Sequence, residues 1–212
     1  MPATVHRLFA KAIQKEEPGV TVSAASTPPI QSSSGRGYIG KIGSPSQKEQ
    51  FIGEAESLRG INIAAPGLAP KLLAAGVFDE ETAENDGEIG KPYFLCEYKD
   101  MGTLTDSAAK ILGKRLATEL HAYKGTMGFG FHVPTFCGAT RQANGWHDSW
   151  EECFDALIGG LIDALKKRGG YEALCKQGNV VRKRRVTTGG ENPEVALTVS
   201  CTAGLFQRFS GP

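Results

Sequence analysis

Cysteine is scarce and poorly placed for cross-linking. The 212 residues hold 5, Cys96, Cys137, Cys153, Cys175 and Cys201, and none forms a CxxC pair with another. An odd, scattered set gives neither a disulfide framework nor a zinc site, so reduced and mostly buried thiols are expected. An excess of one charge is lacking as well: 24 Lys and Arg stand against 23 Asp and Glu, for a formal net charge of +1. No global field selects nucleic acid or a membrane surface, and neither is expected as a partner. Long apolar runs are also missing. None approaches the roughly 20 residues of a membrane span, and the opening MPATVHRLFAKAIQKEE mixes charge throughout instead of forming a signal-peptide apolar region. With 40% hydrophobic residues, a cytoplasmic protein with an ordinary core is expected.

What is present is organised around Tyr38 to Leu58, YIGKIGSPSQKEQFIGEAESL. It reads as a short strand carrying Lys41, a turn, and a helix carrying Glu54. Ser44 can cap, Pro45 fits the first helical position where its missing N–H costs nothing, and Gln47 can close a capping box, so the helix should begin at about residue 45. Phe51, Ala55 and Leu58 recur on one face, with Glu54 one position off that stripe and able to reach a neighbouring strand. A strand lysine held by a helix carboxylate is how protein-kinase-like folds fix an ammonium against the α- and β-phosphates of ATP. The same pair also reads as a surface ion pair worth ~0 to 1 kcal/mol.

Before this stretch, Val5, Leu8, Phe9, Ala12 and Ile13 form the packing stripe of a first helix, closed by Pro18 and Gly19. A short strand and a loop fill Val20 to Ser34. Gly35, Gly37 and Gly40 spell G-x-G-x-x-G, but PPIQSSS precedes them and a strand follows, which excludes the dinucleotide motif. The last glycine adjoins Lys41, which excludes a kinase glycine loop. A tight turn between strands remains, and any phosphate-covering loop is placed among Ser23 to Ser34. After the Glu54 helix come a loop over Gly60 to Leu73, a strand in LLAAGVF, a solvated acidic hairpin tip in DEETAENDGEIG, and a strand over Tyr93 to Tyr98. Ile111, Leu112, Leu116 and Leu120 mark one helix. Phe154, Leu157, Ile158, Leu161, Ile162 and Leu165 mark another, capped by Asp148 or Ser149 and ended by Gly169 and Gly170. The shift from strands to helices puts a boundary near residue 99, giving segments 1–98 and 99–186 and an atypical tail, 187–212.

Several stretches together resemble a known family. GEAESL after a strand lysine, FLCEYKDMGTL, LATELH and GFGFHVPTFCGATRQANGWHDSWEECFDALI are similar to the fructosamine (ketosamine, protein-ribulosamine) 3-kinases from about Tyr38 to Arg185. The most specific part is FCG-x-x-x-Q-x-N-x-W-x-x-x-W. The resemblance implies an α+β, protein-kinase-like fold related to aminoglycoside phosphotransferases: an ATP-binding N-lobe of sheet plus helix over 1–98, then an incomplete helical C-lobe. It implies ATP and Mg2+ as cofactors, and ketosamines, on glycated proteins or as small molecules, as substrates whose phosphorylation leads to deglycation.

Carried over by position, Lys41 is the phosphate-contacting lysine and Glu54 its partner, with Glu56 as fallback. Glu97 to Lys99 is the hinge, where the Glu97 C=O and the Lys99 N–H meet the adenine edge and side-chain identity matters little. Gln142, Asn144 and Trp146 fall on the signature loop, where amides and indole suit sugar hydroxyls; a structural role in the turn and core is an equal alternative. His121 is expected to serve a helix end, and His132 and His147 lack metal-ligand spacing. The family's H-G-D-L-W-S-G-N loop, which supplies the catalytic Asp and Asn, has no counterpart among these residues. Asp155 and Asp163 lie inside a helical pattern, and Asp148 lacks the following Asn, so no catalytic residue is assigned. The expectation is a ribulosamine-kinase-type phosphotransferase, truncated before its catalytic loop and inactive as written. The alternative is a catalytically dead ATP-binding or scaffold fragment. Arg182 to Arg185 is expected to be a solvated element end.

Overall fold

A computed structural model describes residues 5–24 and 29–187, which fall into two compact units divided between Gly113 and Lys114. The tail beyond residue 187, Cys201 within it, and residues 25–28 of the span proposed to cover phosphates lie outside the described residues.

The first unit is an α+β layer built on a five-stranded antiparallel sheet. Its strands are β1 (Val22–Ala24), β2 (Ile30–Ser32), β3 (Gly37–Ile42), β4 (Leu72–Val77) and β5 (Pro92–Glu97), in the order β1-β2-β3-β5-β4. Because side chains alternate along a strand, β3 and β5 present two different faces. Tyr38 and Leu95 point toward α1 (Arg7–Glu16) and bury completely with its Phe9 and Ile13. Burying each such side chain contributes about 1.5 to 3 kcal/mol. Gly40 belongs to this packing: a Cβ there would stand 2.6 Å from the Phe9 ring. The turn of the G-x-G-x-x-G run is made by Gly35, whose φ of +88° suits glycine and whose N–H donates to the Ser32 carbonyl at 3.0 Å. The expected tight turn between strands is therefore present, joining β2 to β3.

Helix α2 (Lys48–Ala64) packs on β4 and β5 and buries Phe51, Ala55, Leu58 and Ile61. A 3-10 turn, Pro45–Gln47, leads into it, and the Ser44 N–H donates to Gln47 Oε1 at 2.9 Å. The helix runs further than the sequence suggested. Gly60 is helical, and the break comes after Ala64, where Asn62 Nδ2 donates to the Leu58 and Pro70 carbonyls and Asn62 Oδ1 accepts from the Gly67 N–H. The acidic run after β4 is also more than a solvated tip. Glu88 Oε2 lies 3.1 Å from His6 Nε2, while His6 Nδ1 accepts from the Leu8 N–H at 3.1 Å and caps α1. The Arg7 N–H donates to Glu84. The run therefore clasps the start of the first helix.

Helix α3 (Asp106–Arg115) crosses the division and continues into a π-helical turn, Leu116–Leu120. In the second unit, four three-residue strands occupy a stretch where the sequence suggested none. β6 (Phe129–Phe131) pairs with β9 (Gly145–His147), and nested between them in sequence β7 (Thr135–Cys137) pairs with β8 (Thr140–Gln142). Helix α4 (Trp150–Arg168) packs against β6, β8 and β9. Ser149, not Asp148, caps it by accepting from the Glu152 N–H at 3.2 Å, and Gly169 ends it at φ +75°. Helix α5 (Glu172–Thr187) lies along α4, with Gly178 against Ile162 and Gly159 beneath the Arg182 guanidinium. Arg182 makes a two-pronged bond to Asp155, at 2.7 and 2.6 Å. This basic residue is thus a helix-to-helix tie and not a solvated end.

Candidate functional site

The structure brings Lys41 and Glu54 together. Lys41 sits on the β3 face opposite Tyr38, toward α2, and its Nζ donates to Glu54 Oε1 at 2.8 Å. Phe94, directly across the ladder from Lys41, sets its ring 5.3 Å from the ammonium, near enough for a cation–π attraction. The Lys41 and Glu54 side chains remain 30% and 19% exposed. A half-exposed pair adds little to stability, and an accessible, oriented ammonium is suited to holding an anion. Glu56, the fallback partner, instead receives a bond from Arg59. Next to Phe94, the buried Cys96 thiol is pushed up to about 12 by burial, against the pull of Lys41, so it stays protonated and unreactive. Cys153 and Cys175 are also buried, and Cys137 is exposed.

Glu97 ends β5, and the Tyr98 N–H makes the last cross-strand bond, to the Gly37 carbonyl at 2.9 Å. Lys99 follows outside the ladder. The Glu97 carboxylate accepts from Arg36 Nη2 at 2.8 Å and from the Lys71 N–H at 3.1 Å, and Lys99 Nζ lies 2.7 Å away. Burial works against its charge, yet Lys99, the Lys71 amide and Arg36 together hold the carboxyl below its usual range. Arg36 and Lys71 had no functional reading in the sequence, because they are brought to Glu97 only by strand order.

The second group lies in the second unit. Gln142 and Asn144 line a cavity of about 160 Å3 together with Arg141, His147, Cys153 and Leu157. Thr135 Oγ1 lies 3.4 Å from Gln142 Oε1. Asn144 is, among the described residues, the one non-glycine residue with a positive φ, +55°. Its Nδ2 donates to the Val133 carbonyl at 2.8 Å and to Thr135 Oγ1 at 3.0 Å. Those donors hold the turn. Trp146 is not among the cavity-lining residues and is 39% exposed on β9. It is therefore not a core residue; Trp150 packs with Phe129 and Phe154. His121 closes the π-helical turn, donating its N–H to the Leu116 carbonyl at 2.8 Å. Asp155 is committed to Arg182, and Asp163 to Lys166 at 3.0 Å. Among the described residues no group of three His, Cys, Asp or Glu could hold a metal ion, and no helix is long and apolar enough to cross a membrane.

Comparison with known proteins places the chain in a family. The chain is 31% identical over 98 residues to the chloroplastic protein-ribulosamine 3-kinase of Arabidopsis thaliana, covering 45% of this chain and 30% of that protein. It is 26% identical over 161 residues to a probable ketoamine kinase of Synechocystis sp., covering 76% of this chain and 50% of that one. The chain thus spans half or less of the length of these curated relatives. The crystal structure of a candidate fructosamine-3-kinase from Haemophilus somnus 129PT superposes with a TM-score of 0.59 at 18% identity, over 87% of this chain and 62% of that one. The fold is protein-kinase-like. Residues 5–198 match the family described as fructosamine kinase, a longer span than the motifs of Tyr38 to Arg185. This chain belongs to the fructosamine kinase family.

Proposed function

We propose that the first unit holds ATP through Lys41 and the backbone after β5, and that the protein serves the ATP-dependent phosphorylation of protein-bound ketosamines. The observation that carries this reading is the 2.8 Å contact between Lys41 on the sheet and Glu54 on α2, in a chain of the fructosamine kinase family. Glu54 fixes the ammonium so that its charge meets the α- and β-phosphates without reorganising. The residues fit ATP: an oriented cation on the sheet, and at the end of the ladder the Glu97 carbonyl, with the Lys99 amide two residues further on. They do not supply a site for Mg2+ among the described residues, so the ion is assigned no ligand here.

In such a transfer a ketosamine hydroxyl oxygen bonds to the γ-phosphorus, the bond to the β-phosphate oxygen breaks, ADP leaves, and the hydroxyl proton passes to a base. Gln142 and Asn144 suit sugar hydroxyls as lining groups of the cavity, and Trp146 offers an exposed ring on the next strand, β9. Glycated proteins or small ketosamines are the corresponding substrates, and cytoplasm the corresponding place. A second reading, nucleotide binding without transfer, is favoured by one observation: the 212 residues contain no H-G-D sequence to provide the base. Calorimetry with ATP tests the shared part of both. Lys41→Ala should weaken binding by about ten-fold or more, the loss of ~1.4 kcal/mol. Equal affinity for wild type and Lys41→Ala would sink the assignment.

A further inference from the structure

In an antiparallel hydrogen-bonded pair, facing residues exchange both N–H···O=C bonds. Lys71 and Glu97 continue the register that pairs Leu72 with Cys96, and they make only half of that exchange. The Glu97 N–H donates to the Lys71 carbonyl at 2.9 Å. The Lys71 N–H turns instead to Glu97 Oε2, at 3.1 Å. The carboxylate has taken the donor that a completed ladder would give to the Glu97 carbonyl. That carboxylate is held in place from two further sides, by Arg36 from the β2–β3 turn and by Lys99 from the chain just past the sheet. Within such a pair a residue's N–H and C=O point to the same neighbour, so the Glu97 carbonyl, like the Glu97 N–H that reaches Lys71, faces the β4 side.

We propose that the Glu97 side chain is a positioning group for base recognition: by capturing the Lys71 amide it keeps the Glu97 carbonyl open for the 6-amino group of adenine, and its pair with Lys99 sets the neighbouring N–H beside it. This rests on the ATP reading above and adds a determinant of base choice. Removing the carboxylate lets the Lys71 N–H swing onto the Glu97 carbonyl, which completes the ladder and closes the acceptor. The phosphate contacts at Lys41, on another strand, are untouched.

The test compares ATP with purine riboside triphosphate, which lacks the 6-amino group but keeps N1 as an acceptor and the same phosphates. Wild type should prefer ATP by about ten-fold, the worth of one good hydrogen bond. Glu97→Met, which keeps the apolar stem but offers only a weakly accepting sulfur, should bind the two equally, the difference being lost on the ATP side. Glu97→Gln retains an acceptor for the Lys71 N–H, so it should keep most of the preference for ATP even though its charge pairs are gone. A purely structural role would lower both affinities together in Glu97→Met. An unaltered ATP preference in Glu97→Met, a Glu97→Gln variant as unselective as Glu97→Met, or equal wild-type affinity for the two nucleotides would each overturn the proposal while leaving the ATP reading standing. A wild-type chain that binds neither nucleotide would instead refute that reading.

Discussion

At the scale of single residues, the geometry separates charge from shape. Lys41 faces Glu54 as a point charge, so Lys41→Arg should weaken ATP binding nearly as much as Lys41→Ala in calorimetry, because a planar fork cannot reproduce an ammonium between Glu54 and a phosphate. Gly130 shows the opposite case. Its φ is +144°, and a Cβ there would fall 1.7 Å from the Gly145 carbonyl oxygen, a backbone atom that cannot step aside. Gly130→Ala should therefore break the β6–β9 ladder and cost more than 3 kcal/mol, at the upper end of ordinary substitutions, seen as loss of the cooperative melt of the second unit with the first retained. Lys41 and Glu54 were legible in the sequence because helix period and strand position put them within reach of one another. Glu97 was legible only as backbone. What its side chain does depends on Arg36 and Lys71, which are 61 and 26 residues away along the chain, and no local pattern announces such partners.

At the scale of elements, periodicity and capping chemistry located α1, α2 and α4; helical structure opens at Pro45, where the residues placed it, as a 3-10 turn that α2 continues from Lys48. The misses have physical causes. The acidic run looked solvated because its partners, His6 and Arg7, lie at the far end of the chain. The strands β6 to β9 are three residues each, too short to show alternation, and two are held together by the Asn144 turn. Helix α5 lacks a clear apolar stripe, since small residues and one ion pair seat it on α4. That ion pair gives a pH-dependent prediction. The bond from Arg182 holds the Asp155 carboxyl below the usual range against desolvation, and the guanidinium's charge adds to that bond. A depressed carboxyl contributes stability that is present above its unfolded value, about 3.9, and that disappears as pH falls through the folded one. Wild type should therefore melt above Asp155→Asn at neutral pH, and the gap should narrow below about pH 4. A gap independent of pH would show that the carboxylate's charge is irrelevant to the α4–α5 contact.

At the scale of the whole molecule, membership of a kinase family and the residues present make different demands. Phosphoryl transfer depends on a held nucleophile and stabilised charge, and these 212 residues contain no H-G-D loop for either task. The chain as written should show no Mg2+-dependent transfer of labelled phosphate from ATP to a fructosyl-lysine peptide; transfer abolished by Lys41→Ala would mean that an aspartate such as the exposed Asp148 acts as base.

The strand order β1-β2-β3-β5-β4 also bears on how the first unit is made. β5 is the last strand to be synthesised, yet it lies between β3 and β4. Until it arrives, those two strands have nothing to join them. The clasp on α1 waits as well, because His6 and Glu88 are 82 positions apart. At ribosomal speeds of ~5 to 20 residues per second, the apolar stripe of α1 spends roughly 4 to 16 seconds outside the tunnel before its binding groove exists. For that interval the emerging α1 segment has no completed groove in which to bury its stripe, and Pro92 to Glu97 is the segment that completes it.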